Sequence, residues 1–304
     1  MAAHRSLDEW SAFGEAGRAD RLPSVITSRR YAVDGRWLVI ATLFAVALLA
    51  NLLIVYRTIA YWHGPAWGWS DDWNELVQAA TSSNPYTADG FRWSPVAAWI
   101  LGFLVPLGIG AWRLLHFAAL LVLRDWRVIA LVLVSFPFWV DMVSGNVLVF
   151  AFVAAWAAIR GSRAGGLIFL AMVMLMPRPL FVPVTAWLLW KHPALRIPMA
   201  ALLLGSVALV ASSGLGPEWI GRLASSGSEL GHPQNIAPSR WIGAAWIPIG
   251  ALLAVVLTWR GRLGLASLAA SPYLFAYYLL FGFLELAPRL SARRAGGDHP
   301  VSAS

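Results

Sequence analysis

Long apolar stretches, separated by short polar breaks, make up most of the chain. The first such stretch runs from Trp37 to Tyr56, and stretches of similar character continue to about residue 286. A helix needs about 20 apolar residues to cross a hydrocarbon core of about 30 Å. The pattern therefore predicts an all-α fold, a polytopic membrane helix bundle of about nine or ten transmembrane helices.

One apolar segment, residues 94–123, is interrupted by residues that break or bend helices. These residues are Pro106, Gly108, Gly110 and Arg113. They leave two alternatives open, because the segment can form either one broken helix or two short spans. The later stretches predict three helical hairpins and a final span, at residues 128–159, 164–190, 197–259 and 264–286.

The distribution of charge predicts how the helices are oriented in the membrane. Residues 57–93 hold four carboxylates against two arginines. Basic loops are retained on the cytoplasmic side of a membrane. We therefore expect outer loops at about residues 57–93 and 212–240, and a cytoplasmic N-terminus. The basic clusters between the predicted hairpins are Arg124/Arg127, Arg160/Arg163, Lys191/Arg196 and Arg260/Arg262.

The two ends of the chain are polar. Residues 1–35 mix both signs of charge with proline, serine and glycine, and they show no sustained apolar period. Such a segment is unsuited to a hydrocarbon environment. We expect a cytoplasmic tail at residues 1–35, a transmembrane domain at residues 36–288 and a flexible tail at residues 289–304.

Composition supports a membrane protein and excludes several classes of enzyme. The 304 residues are 59% hydrophobic and 12% charged, and the mean hydropathy is +0.65, which is far from the balance of a soluble domain. The net charge is +8, but the arginines are scattered between apolar stretches, so we expect no nucleic-acid partner. Cysteine is absent, which excludes disulfides, thiolate nucleophiles and cysteine-ligated metals.

The sequence predicts neither a metal site nor a cofactor. The six histidines are dispersed and do not show the spacing of metal-ligand pairs. Glycine-rich loops that would cradle a nucleotide phosphate or a dinucleotide are also missing from the pattern. We therefore expect a function that needs no ATP and no bound cofactor.

Carboxylates and aromatic side chains are concentrated in the first outer loop. Asp71 and Asp72 begin a stretch, residues 72–81, in which Trp73, Leu76, Val77 and Ala80 recur on one helical face. This pattern is typical of a short helix that lies on the membrane interface. Two adjacent carboxylates are candidate acid–base groups. The alternative is that they only cap this helix, while the tryptophans form an interfacial belt.

Polar residues within apolar stretches are functional candidates, because such groups are costly to place in lipid. Asp141 and Asn146 lie in one such stretch, and Arg178 lies in another, between two prolines. A guanidinium offers several donors to a phosphate group. The alternatives are a helix cap or ion pair for Asp141 and a snorkelling or turn position for Arg178. Arg240, in the second outer loop, could line a substrate cleft together with the first loop.

Short motifs occur along residues 37–286 in a recognisable order. They are Asp72-Trp73, Asn84-Pro85-Tyr86, Trp93-Ser94-Pro95, Pro137 followed by Gly145-Asn146, Met176-Pro177-Arg178-Pro179, and Ser271-Pro272-Tyr273 with Tyr277-Tyr278. In this order they resemble the polyprenyl-phosphate-mannose-dependent mannosyltransferases of glycosyltransferase family 87, within the GT-C superfamily. Two features depart from that pattern, because the chain is short and Tyr278 stands where the family has a late aspartate.

The resemblance implies a GT-C-like fold and a hexosyltransferase that moves mannose from a polyprenyl-phosphate donor to an acceptor hydroxyl, with inversion, on the outer membrane face. It implies that Asp72, beside Asp71, is the catalytic base and that Arg178 and Arg240 bind the donor phosphate. The implied substrate-binding residues are Trp73, Asn84, Tyr86, Trp93 and Asn146. The implied partners are the donor lipid, a glycolipid or glycan acceptor and membrane lipids, in the plasma membrane of a bacterium.

Two other classes of protein remain open. A multi-pass transporter or flippase also holds polar residues at broken helices, but it should place its main charges near the bilayer midplane and show related halves. An inactive homologue that serves as a structural membrane partner would fit the short chain and Tyr278. A substitution at Asp72 separates this last class from an enzyme.

Overall fold

The computed structural model describes residues 39–53, 71–88 and 90–287, and all regular structure in these ranges is helical, as predicted. The chain divides into two units, Met1–Thr42 and Leu43–Ser304. Of the first unit, the structure describes only residues 39–42, which begin the first described helix, and the packing below is that of the second. The predicted tails at residues 1–35 and 289–304 lie outside the described residues, as do residues 54–70, which include part of the first outer loop.

Fourteen α-helices occur in the described ranges, and short 3₁₀ segments connect several of them. The helices are α1 (Val39–Leu53), α2 (Asp71–Thr81), α3 (Pro95–Gly102), α4 (Gly108–Leu120), α5 (Trp126–Leu133), α6 (Phe136–Ser144), α7 (Leu148–Ile159), α8 (Arg163–Leu175), α9 (Val182–Lys191), α10 (Arg196–Ser213), α11 (Gly216–Ser225), α12 (Ser239–Ile242), α13 (Trp246–Trp259) and α14 (Leu263–Ala270). A longer 3₁₀ helix, Ala276–Leu286, ends the described chain.

Three helical stretches of the described chain are long and apolar enough to cross a membrane, namely Val105–Leu123, Pro193–Ser213 and Ser239–Trp259. Helices α5 and α6 meet at a bend of 71° and would make a fourth span if they act as one broken span. Four further apolar helices of the described chain have 10–17 residues, which is less than the roughly 20 that a span needs. The predicted count of nine or ten spans therefore stays a prediction.

The long helices carry apolar side chains on their outer surface. Leu204 and Val207 of α10, and Leu252 and Val255 of α13, are largely exposed. A soluble protein rarely exposes contiguous apolar surface on this scale, because water penalises it. Surrounding lipid would cover these side chains without that penalty.

Residues 94–123 form a short helix, α3, followed by one full-length candidate span, Val105–Leu123. Pro106 lies in the first turn of this span, where a missing backbone N–H costs no helical hydrogen bond. Gly108 has a φ of +75°, so the chain changes direction there before α4. The proline and the glycine thus shape the beginning of a span and do not divide it.

Local capping explains where several helices begin and end. The Ser94 side chain accepts a hydrogen bond from the Ala97 N–H at the start of α3, and Asp125 accepts from the Arg127 N–H at the start of α5. These side chains satisfy amide groups that have no partner within the helix. At its other end, α6 stops at Gly145, which has a left-handed conformation.

Helix α7 lies at the centre of the core. Its residues are buried on nearly all faces, as expected for a helix that is apolar all round. Aromatic rings connect it to the 3₁₀ helix and to the start of α9: the Phe152 and Phe281 ring centroids are 6.5 Å apart, and those of Phe281 and Phe181 are 5.5 Å apart. This core positions the helix ends that carry the candidate site.

Helix α2 matches the helix predicted from residue 72, but its apolar face is covered by protein. Trp73, Leu76 and Ala79 are buried, and the helix packs against α3 and α6. The predicted position of this helix on the membrane interface stays a prediction. Packing against neighbouring helices fixes α2 in place, and with it the carboxylate at its first turn.

Candidate functional site

Asp72 and Asn146 are brought together by the fold. The side-chain Nδ2 of Asn146 donates to Oδ2 of Asp72 at 3.1 Å, across 74 residues of sequence. Asn146 is fully buried in the turn between α6 and α7, whereas Asp72 is half-buried in the first turn of α2. The N-terminal end of a helix also favours a negative charge. Asp71 begins α2, and its side chain lies outside the described structure.

Trp73 anchors the beginning of α2. Only 6% of its surface is exposed, and its ring centroid lies 5.5 Å from that of Trp112 in α4. Gly145 approaches Trp73 closely, since a Cβ atom at Gly145 would lie 2.6 Å from the Trp73 Cβ. The indole is therefore a packing group in this structure, and its predicted contact with a substrate stays a prediction.

Gly145→Ala is expected to destabilise the protein by about 1–3 kcal/mol, because the new methyl group meets Trp73 and the residue has a φ of +79°. Thermal unfolding in detergent micelles would measure the loss. Gly205→Ala is the matched control, because no atom lies within 4 Å of a Cβ there. Equal unfolding temperatures for the two variants would contradict the close approach.

Arg178 lies in the break between α8 and α9, and part of its guanidinium lacks a partner. Its Nη1 atom is buried and has no hydrogen-bond partner in the described structure. The Cζ atom lies 5.1 Å from the Tyr278 ring centroid and 6.0 Å from that of Tyr277. Asp72 is close enough to interact electrostatically with Arg178. An unpaired buried N–H group is costly, so this break offers a donor to an anion.

Four aromatic residues near the end of the chain complete this region. The ring centroids of Tyr273 and Phe275 are 5.8 Å apart, and those of Tyr277 and Tyr278 are 5.1 Å apart. The sequence identified Tyr277 and Tyr278 as part of a motif but gave no sign that they lie beside Arg178. The only feature in the sequence that marked them was that two tyrosines are adjacent.

Asn84 and Tyr86 shape the first outer loop. The Asn84 Oδ1 accepts from the Tyr86 N–H at 2.9 Å, and its Nδ2 donates to Glu218 Oε2 at 2.6 Å. The hydroxyl of Tyr86 donates to the Trp93 carbonyl at 3.1 Å, and burial raises the pKa of this phenol above its ordinary value. These contacts build the loop, so substrate binding by either residue stays a prediction.

The two predicted outer loops pack directly against each other. Besides the contact between Asn84 and Glu218, Arg92 forms an ion pair with Glu229, and Arg222 donates to the Tyr86 carbonyl at 2.5 Å. The Ser94 N–H also donates to the Leu175 carbonyl at 2.9 Å. The first loop is thus fixed both to the second loop and to the end of α8, three residues before Arg178.

The remaining predicted site residues are separate from this cluster. Arg240 is exposed in α12, and its side chain has no hydrogen bond or ion pair in the described structure. Trp93 is half-buried, with its ring centroid 5.6 Å from that of Phe91. Among the described residues, no group of three or more His, Asp or Glu side chains could hold a metal ion.

The described fold is that of an all-α protein with three or four candidate membrane-spanning helices, which indicates a multi-pass membrane protein. Its candidate site lies where the ends of several helices meet, around Asp72, Asn146 and Arg178. We found no match between this chain and a protein-family model, a curated protein or a solved structure.

Proposed function

We propose that this protein is a membrane glycosyltransferase that moves a sugar, mannose, from a polyprenyl-phosphate carrier to an acceptor hydroxyl on a glycolipid or glycan. The observation that supports the proposal most is a carboxylate, Asp72, within electrostatic range of a buried guanidinium, Arg178, whose Nη1 lacks a hydrogen-bond partner in the described structure. One can serve as a base and the other as a partner for an anion. The order of motifs that resembles family 87 supports the same function.

In the proposed mechanism, Asp72 accepts the proton of the acceptor hydroxyl while the hydroxyl oxygen attacks the anomeric carbon of the sugar. The bond between this carbon and the phosphate oxygen breaks with inversion, and the polyprenyl phosphate leaves. Negative charge grows on that phosphate as the bond breaks. Arg178, whose Nη1 lacks a hydrogen-bond partner in the described structure, stabilises this charge as a donor already in position.

The proposal places the site on the outer face of a bacterial plasma membrane, with the N-terminus in the cytoplasm. The natural chain has no cysteine, so an introduced cysteine is the only thiol. We expect an impermeant maleimide to label Ser83→Cys in intact cells but to label Ala194→Cys only after lysis, since both positions are exposed. The reverse pattern of labelling would contradict this orientation.

A transporter or flippase is the second candidate, favoured by the fully buried Asp141 and His116. These two groups, however, make hydrogen bonds to the backbone of the turn before α7 and of its first residues. Their contacts fit a structural role. An inactive homologue would share the fold but would transfer no sugar.

Sugar transfer in reconstituted liposomes tests the proposal against both alternatives. Purified protein would be supplied with radiolabelled polyprenyl-phosphate mannose and a crude glycolipid acceptor, with GDP-mannose as the alternative donor. We expect labelled acceptor only with the lipid-linked donor. Movement of the donor across the bilayer without transfer would favour a flippase, and the lack of both by folded protein would favour an inactive homologue.

A further inference from the structure

Side chains of α4 hold the turn that carries Asn146. Trp112 donates from Nε1 to the Gly145 carbonyl at 2.9 Å. His116, which lies one turn further along α4, contacts the Asn146 carbonyl through Nε2 at 2.8 Å. Residues four apart lie on the same face of a helix, so one face of α4 fixes two successive carbonyls of the turn.

His116 contacts two carbonyl oxygens through its ring nitrogens. Its Nδ1 lies 2.9 Å from the Trp112 carbonyl oxygen, and its Nε2 lies 2.8 Å from the Asn146 carbonyl oxygen. A carbonyl oxygen only accepts hydrogen bonds, whereas a neutral imidazole has one donor and one acceptor nitrogen. The tautomer with its proton on Nε2 therefore donates to the Asn146 carbonyl.

The Asp141 carboxyl lies beside this ring. Its Oδ2 lies 3.7 Å from Nε2 of His116, and both side chains are fully buried. Asp141 also accepts from the backbone N–H groups of Leu148 at 3.3 Å and Val149 at 2.9 Å. Buried polar groups are stable where they are hydrogen-bonded, so these contacts hold Asp141 against the start of α7. The other charged groups that act on this pair are Arg113, Asp72 and Arg178.

Aromatic packing fixes the orientation of the His116 ring. Its centroid lies 4.8 Å from that of Phe150 in α7 and 5.7 Å from that of Trp112, and both pairs are edge-on. A ring held in this way between α4 and α7 cannot rotate without moving its neighbours. Its contact with the Asn146 backbone is therefore specified by the packing of two helices.

We propose that His116 is a positioning residue for the Asp72 carboxylate. It holds the Asn146 backbone, with Asp141 packed beside its ring, and the Asn146 side chain in turn donates to Asp72. The catalytic consequence rests on the proposed function, because Asp72 is the base of that reaction. The hydrogen-bond arrangement itself does not depend on it.

The side-chain amide signal of Asn146 tests this inference without an activity assay. The chain has only five asparagines, so selective ¹⁵N-asparagine labelling in micelles gives few signals, and Asn146→Ala identifies the relevant one. We expect this signal to shift in Asp72→Asn and also in His116→Gln. The matched control, His192→Gln, lies at the end of α9 and should leave the signal unchanged. An unchanged signal in His116→Gln would overturn the proposal.

A second measurement uses the wild-type protein, so that it does not depend on whether a variant folds. With ¹⁵N-histidine labelling at neutral pH, Nε2 of His116 should carry a proton. A ring protonated only at Nδ1 would overturn the arrangement, because Nε2 could then not donate to the Asn146 carbonyl.

Kinetics test the catalytic consequence. His116→Gln should lower kcat for transfer about tenfold and leave the KM for the donor lipid unchanged, and the double variant with Asn146→Ala should be no slower than Asn146→Ala alone. If the fold loss in kcat of the double variant equals the product of the two single losses, His116 does not act through Asn146, and the proposal is overturned. If the wild-type protein transfers no sugar, the proposed function is refuted. The Asn146 amide signal would then still show whether His116 positions the Asp72 carboxylate.

Discussion

Asp72→Asn is expected to lower kcat for sugar transfer by about 10²–10⁴-fold, the usual contribution of a general base. Asparagine has nearly the same shape as aspartate and retains a carbonyl oxygen that can accept from Nδ2 of Asn146. The substitution therefore removes the proton acceptor while it preserves the contact between α2 and the turn before α7. Initial rates at saturating donor, with matched amounts of folded protein, would measure the effect.

Asp125→Asn is the matched control for this substitution. Asp125 caps α5 through the N–H groups of Arg127 and Val128, and asparagine is an equally good cap. This variant should transfer sugar at the wild-type rate. If Asp72→Asn kept more than half of the wild-type rate, Asp72 would not be the base, although the protein could still be a transferase.

Arg178→Gln is expected to lower kcat by about 10²–10³-fold, as for the loss of one donor that stabilises growing charge. Arg178→Lys should recover only part of the rate, because an ammonium keeps the charge but lacks the planar fork of donors. Inhibition by free polyprenyl phosphate offers a second measurement, since the variant should bind this product more weakly. Thermal unfolding would show that the Tyr277 and Tyr278 rings still pack.

Two other arginines provide the comparisons for Arg178. Arg127→Gln is the matched control, because Arg127 is exposed and its guanidinium lies over the ring of Trp126. Arg240→Gln tests the other predicted phosphate ligand, and we expect a smaller effect because its side chain is exposed. A larger loss in Arg240→Gln than in Arg178→Gln would reverse the assignment of the phosphate site.

Local features of the sequence determined much of the fold. Apolar periodicity predicted helices throughout, and the helix expected from residue 72 is present as Asp71–Thr81. The sequence showed that residues 94–123 are interrupted, but it did not decide between one broken helix and two short spans. Pro106 can begin a helix as readily as it can break one. The bend of 71° between α5 and α6 was likewise not predictable, because it depends on packing that periodicity does not report.

The candidate site was predicted residue by residue but not as an arrangement. Asn146 and Arg178 were identifiable because polar groups stand out in apolar stretches, and Asp72 because it is one of two adjacent carboxylates in a loop. Their proximity, the cation–π contacts of Arg178 with two tyrosines, and the bridge from His116 to Asn146 were not predictable. Arg240 was selected only from its place in the second outer loop, and it is exposed in α12.

The sequence by itself thus determined the helical class, the apolar surface suited to a membrane and the residue types available for chemistry. These properties depend on neighbours within one or two helical turns. Only the tertiary structure decided which of these residues meet, because contacts such as that between Asp72 and Asn146 join segments 74 residues apart. Such contacts result from the packing of whole helices, and no short pattern in the chain encodes them.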